Sequence, residues 1–152
     1  IGYLFANSQD LDVGDDLVLD NEGTTVEKDC ITLMNPNWSV SSQILSITEV
    51  KEKFLKNSNM YVAYLDADSV RDPISLEKWK EGLRFAPLGL SGHSMKLSDF
   101  WINKGLPKRK RDHWPLIMSA GRVIWIPGFQ PAFDARITDS TESVLKLTVE
   151  KT

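Results

Sequence analysis

The segment Trp114-Pro115-Leu116-Ile117-Met118-Ser119-Ala120-Gly121-Arg122-Val123-Ile124-Trp125-Ile126 decides how the chain is read. Two apolar runs, Trp114 to Met118 and Val123 to Ile126, flank the small residues Ser119-Ala120-Gly121, the pattern of two strands joined by a tight turn. Downstream, Val144-Leu145-Lys146-Leu147-Thr148-Val149 reads as a clean final strand. Upstream, Ile74 to Trp79 alternates, with Ile74, Leu76 and Lys78 on one side and Ser75, Glu77 and Trp79 on the other. Met60 to Leu65 is an unbroken apolar run, a buried strand followed by the polar turn Asp66-Ala67-Asp68-Ser69. Leu11 to Leu33 reads as β structure: Asp16 to Leu19 and Thr24 to Val26 flank the turn signal Asp20-Asn21-Glu22-Gly23. Cys30 to Met34 follows as another strand and ends at Asn35-Pro36-Asn37.

Helices are fewer. Ser46 to Lys56 carries Ile47, Val50, Phe54 and Leu55 at helical spacing, and Ser46 with Glu49 forms a capping box. Asn57-Ser58-Asn59 ends it. Lys96 to Lys104 places Leu97, Phe100 and Trp101 on one face; Gly105 stops it and Leu106-Pro107 opens a new turn. Strands dominate, no βαβ rhythm appears, and the class is α+β with two or three short helices.

The 152 residues suffice for one domain with a real core, residues 1–152 taken as a single unit. At 41% hydrophobic and 26% charged, the composition excludes a disordered or low-complexity chain. The longest apolar run, six residues, falls far short of the about 18–20 needed to span a membrane, and no secretory signal opens the chain. The single cysteine, Cys30, cannot form an internal disulfide, which suits a reducing compartment. A chain opening at Ile1 without methionine reads as a piece of something longer.

The net charge of −3 hides an asymmetry: residues 1–70 carry 12 acids and 4 bases, residues 71–113 carry 10 bases and 5 acids. The densest block is Lys108-Arg109-Lys110-Arg111, with Lys104 just before it. It fits a solvated loop or a phosphate-contacting patch.

Catalytic patterns are missing. No phosphate-binding loop, dinucleotide fingerprint or nucleophile elbow occurs. Ser98, Asp99 and His113 lack the strained elbow and oxyanion loop of a hydrolase triad. His93 and His113 lack a spaced third metal ligand, and Asp66 and Asp68 read as turn residues that bond their own backbone. Gly89-Leu90-Ser91-Gly92 has the spacing of a backbone-clamping RNA loop, though a turn explains it as well. Trp101 and Trp125 read as core, while Trp114, beside the basic block, fits a core residue or a stacking platform equally.

Four blocks in fixed order carry a resemblance: Glu81-Gly82-Leu83-Arg84-Phe85-Ala86-Pro87-Leu88-Gly89, Lys96-Leu97-Ser98-Asp99-Phe100, Lys108 to Pro115, and Ile124-Trp125-Ile126-Pro127-Gly128. Together, over residues 76–130, they closely resemble the C-terminal domain of bacterial tRNA(Ile)-lysidine synthetases. Leu83 replaces that family's usual Asp, Lys78 stands where Arg is common, and Met95 where a second Lys is usual; Arg84, Lys96 and Arg111 match.

The resemblance implies a β-sandwich-like α+β core related to one in phenylalanyl-tRNA synthetase. It implies a parent ligase, cytoplasmic, that adenylates the wobble cytidine of the minor isoleucine tRNA with ATP and attaches lysine there. ATP chemistry would belong to an N-terminal catalytic domain absent from this chain, leaving the fragment without cofactor, metal or catalytic residues of its own. Its implied partners are tRNA, at the acceptor stem, and the parent's catalytic domain, with room for a homodimer. Arginine pairs with phosphate through two hydrogen bonds and lysine acts as a point charge. Arg84, Arg109 and Arg111 are therefore the expected geometric contacts, and Lys96, Lys104, Lys108 and Lys110 their electrostatic surround. Arg111 has an alternative as an internal partner of Asp99 or Asp112. The rival function is a protein–protein docking or dimerisation module of the same enzyme.

Overall fold

The computed structural model describes residues 17–19, 23–26, 31–35 and 38–151. The Asp20-Asn21-Glu22 part of the expected turn, Cys30 and Pro36-Asn37 lie outside the described residues. Two antiparallel four-stranded sheets form the body. The first has the order β1 (Thr24–Thr25), β5 (Ile74–Glu77), β8 (Leu116–Ser119), β9 (Arg122–Trp125). The second has the order β2 (Ile31–Asn35), β3 (Trp38–Ser46), β10 (Ser143–Lys151), β4 (Val62–Asp66). A two-stranded ribbon, β6 (Arg84–Phe85) with β7 (Met95–Lys96), stands apart from both.

In the first sheet the alternation at Ile74 is realised: Ile74 and Leu76 are fully buried while Ser75 and Glu77 are partly exposed. The strand stops at Glu77, two residues before the sequence suggests. The hairpin of β8 and β9 turns through Ala120 (φ 49°) and Gly121 (φ 83°). Two successive positive φ values match the right-handed twist of the flanking strands. Trp114, Pro115 and Ile126 fall just outside the paired segment. Ser119 Oγ, fully inside, accepts from the Arg71 amide and donates to the Arg71 carbonyl, both at 2.7 Å, and so pins the segment before β5.

The second sheet is centred on β10, which pairs with β3 along its whole length and with β4 on its other edge. Its two faces are buried against different elements. Leu145, Leu147 and Val149 join Ala63, Leu65 and Val40 in one contiguous core that also holds Ile74, Leu116, Ile117 and Trp125 of the first sheet. That shared core between two sheets is the sandwich-like arrangement. On the opposite face Val144 and Tyr64 pack under α1 (Ile47–Leu55) with Val50, Ile47 and Phe54. The helix starts at a complete capping box: Ser46 accepts from the Thr48 amide and Glu49 accepts from the Ser46 amide, each at 3.2 Å. Leu55, expected on the apolar stripe, is 69% exposed.

Strand β3 has no counterpart in the sequence reading. Its inward register runs Trp38, Val40, Ser42, with Ser42 buried opposite Leu147. Serine at inward and outward positions alike erases the apolar alternation that marks a strand.

Candidate nucleic-acid interface

The ribbon exists because Phe85 has somewhere to go. Phe85 is 2% exposed and its ring meets Phe100 edge-on at 5.0 Å. Phe100 meets Phe129 at 6.1 Å, and Phe129 meets Trp114 at 5.7 Å, all edge-to-face. Such pairs contribute ~0.5–1.5 kcal/mol each beyond their burial. This chain of rings ties together the ribbon, α2 (Leu97–Lys104), the loop after β9 and the segment after α3 (Lys108–Arg111). Of these, the ribbon bears Arg84 and Lys96 and α2 bears Lys104, while α3, just before Trp114, bears the basic block.

Alternation puts Arg84 and Lys96 on the outer face of the ribbon, where they are direct cross-strand partners. The Arg84 guanidinium is aimed by Ser94, donating through Nε to its hydroxyl (2.8 Å) and through Nη2 to its carbonyl (2.9 Å). Arginine has five N–H donors, so three remain for a ligand. Lys96 also precedes α2, whose buried face is Leu97, Phe100 and Trp101 as its spacing predicts. At the other end of α2, Lys104 lies over the Phe100 ring, 5.6 Å from its centre. Gly105, at φ 76°, closes the helix, and the Leu106 amide donates back to the Trp101 carbonyl at 3.1 Å.

The basic block is a turn of helix. The Lys110 and Arg111 amides both donate to the Pro107 carbonyl, at 2.9 and 3.2 Å. Lys108 and Arg109 are exposed; Lys110 and Arg111 are partly buried. Arg111 Nε donates to the Leu106 carbonyl at 2.9 Å. The internal partner is thus the Leu106 carbonyl and not Asp99 or Asp112, the alternative weighed against a phosphate contact, because Gly105 brings the chain back within reach of the guanidinium. Arg111 therefore braces the turn that presents Lys108 and Arg109.

Trp114 is a core residue, 5% exposed, with its indole N–H donated to the Pro127 carbonyl at 2.8 Å. Gly89 and Leu90 belong to a short 3₁₀ turn, Leu88–Leu90, which ends at Ser91 in the left-handed region just before Gly92. Asp66 Oδ1 accepts from the Asp68 amide at 3.2 Å, a local turn bond. Ser98, Asp99 and His113 share no hydrogen bond, and among the described residues no three potential metal ligands gather. Leu83, where the family-like pattern has Asp, packs against the core and its carbonyl receives the Leu97 amide at 2.9 Å.

Sequence reasoning missed a cleft between the ribbon and β9. Arg84 and Ser94 line one wall; Arg122 and Asp134, paired at 2.8 Å, line the other. No local pattern could foretell it, since its walls are brought together only by long-range packing.

The fold and this surface define a β-rich α+β domain that presents exposed cations on its ribbon, α2 and α3. Residues 74–145 match the family described as the TilS substrate C-terminal domain. The tRNA(Ile)-lysidine synthase of Clostridium tetani is 31% identical over 136 residues, covering 86% of this chain and 28% of that protein. The Bacillus subtilis enzyme of the same name is 39% identical over 80 residues, covering 51% of this chain and 17% of that protein. The chain thus spans little more than a quarter of the curated relatives it matches, or less. A crystal structure of a TilS C-terminal domain superposes with TM-score 0.69 at 19% identity, covering 87% of this chain and 97% of the other. An N-terminal fragment of the phenylalanyl-tRNA synthetase β-subunit from Pyrococcus horikoshii superposes with TM-score 0.53 at 17% identity, covering 86% of this chain and 47% of the other.

Proposed function

We propose that this domain holds tRNA for a tRNA(Ile)-lysidine synthase, gripping the acceptor stem while the remainder of the enzyme, with ATP and lysine, modifies the wobble cytidine. The carrying observation is the series Arg84, Lys96, Lys104, Lys108 and Arg109, exposed cations on the ribbon, α2 and α3. An acceptor stem is an A-form duplex whose deep major groove side chains do not read, so it is held by its phosphates, 2′-hydroxyls and shape. Fixed cations on a rigid scaffold suit that task. The tether to a catalytic partner raises the effective concentration at the second site and so adds to the affinity that the domain has by itself. A parent that modifies tRNA would act in the cytoplasm; separately, no helix among the described residues is long and apolar enough to cross a membrane.

Titration of tRNA(Ile) against the chain at several salt concentrations tests this reading. Replacing Lys108 and Arg109 by Glu should weaken binding and lower the salt slope by about 1 for each phosphate no longer neutralised. Unchanged affinity and slope in the folded double variant would move the basic turn to a docking role against the rest of the enzyme.

A further inference from the structure

The cleft beside Arg84 has a chemistry that duplex binding does not use. Its volume is about 300 Å³, at the lower end of the range of ligand pockets, roughly 300–1,000 Å³. That admits a mononucleotide and excludes a duplex. Leu83, Phe85 and Ile124 supply an apolar floor, and Arg84, Arg122 and Asp134 stand in its walls. Asp134 accepts from Arg122 through Oδ2, and its Oδ1 has no partner among the described residues. The cleft does not end there. A second hollow of about 250 Å³ adjoins it through Leu83 and Gly121, and Glu77, Lys78 and Lys80 line it. The two hollows together present four cations and two carboxylates around apolar surface.

An unpaired nucleotide needs what this track offers: an apolar surface for the base, a guanidinium for the phosphate, and an acceptor for an exocyclic amino group. Arg84 belongs both to this cleft and to the row of cations proposed to grip the stem. We infer that the cleft receives the unpaired 3′ nucleotides of tRNA as they leave the acceptor stem, with one nucleotide between Arg84 and Arg122 and the next toward Lys78 and Lys80. This inference rests on the tRNA-binding reading and assigns it a second, single-stranded subsite.

The test compares two hairpin RNAs of identical stem, one blunt and one with a four-nucleotide unpaired 3′ end, titrated against the 152-residue chain and its Arg122→Ala variant. Arg122 and Asp134 are more than half and half exposed, so removing this surface pair leaves the fold intact, which a thermal melt verifies. The overhang should tighten binding roughly five-fold or more, the lower range for one seated base. The Arg122→Ala variant should bind the blunt hairpin as the parent chain does and lose most of the gain from the overhang. Equal binding of the two hairpins by the parent chain would overturn the single-stranded subsite while leaving stem binding in place. An overhang gain that survives Arg122→Ala would also overturn the assignment to this cleft. Failure of both hairpins to bind would overturn the tRNA reading itself, and the subsite with it.

Discussion

Two glycines and two tryptophans show how unequal residues of one type are here. Gly128 has φ 85°, and a Cβ on it would sit 3.0 Å from the Tyr61 hydroxyl and 3.2 Å from the Trp114 ring. Gly121 has φ 83°, with open space where a Cβ would project. Gly121→Ala should therefore cost only the left-handed backbone penalty, about 1–2 kcal/mol. Gly128→Ala should cost more, about 2–4 kcal/mol, because the Tyr61 and Trp114 rings are packed and must shift. Urea unfolding of the two variants checks the order. The Trp114 indole N–H is satisfied by the Pro127 carbonyl, whereas the buried Trp101 Nε1 has no partner among the described residues. Both substitutions to Phe remove similar volume. Trp114→Phe also strands a carbonyl, while Trp101→Phe relieves an unmade bond, so the first should destabilise by about 1–2 kcal/mol more than the second. Equal losses would contradict the assignment.

At the scale of elements, α1 and the basic turn are held by opposite means. The α1 helix has its own start signal and covers the outer face of the second sheet with few residues, of which only Val50 is fully buried. Its cap should therefore be felt: Ser46→Ala is expected to cost about 1 kcal/mol, read as a lowered melting temperature. The basic turn has no capping side chain and four like charges in succession. Its shape comes from Gly105, the Pro107 carbonyl and the Arg111 bond to Leu106. Arg111→Ala should lower both stability and tRNA affinity, whereas the Lys108→Glu, Arg109→Glu pair should lower affinity with the melting temperature nearly unchanged, because exposed cations contribute little to stability. A melt beside each titration separates the two effects.

At the scale of the whole molecule, the aromatic chain from Phe85 through Phe100 and Phe129 to Trp114 joins the ribbon, α2 and the approach to the first sheet into one support. Phosphate contacts work through fixed spacing, so loosening this support should affect binding at a distance. Phe129 is only partly buried, and Phe129→Ala should weaken tRNA binding several-fold while every cation is retained. Affinity equal to that of the parent chain would show that the cations act as independent, mobile charges.

The sequence by itself determined the elements whose signals are local. Ser46 and Glu49 mark the start of a helix, Gly105 ends another, the alternation at Ile74 marks a strand with one face inward, and the apolar run from Val144 marks the final strand. The four ordered blocks between residues 76 and 130 carried the family, because they are short and contiguous. Only the tertiary structure decided the rest. Strand β3 is a strand because β10 pairs with it along nine residues, although its serines hide the pattern. Arg111 is a brace, since Gly105 returns the Leu106 carbonyl to it. The cleft joins Arg84 to Arg122 and Asp134, residues far apart in the chain that meet when the ribbon packs near β9. Backbone propensity and capping act over three or four residues and are written locally, whereas a binding surface is made by the packing of distant segments.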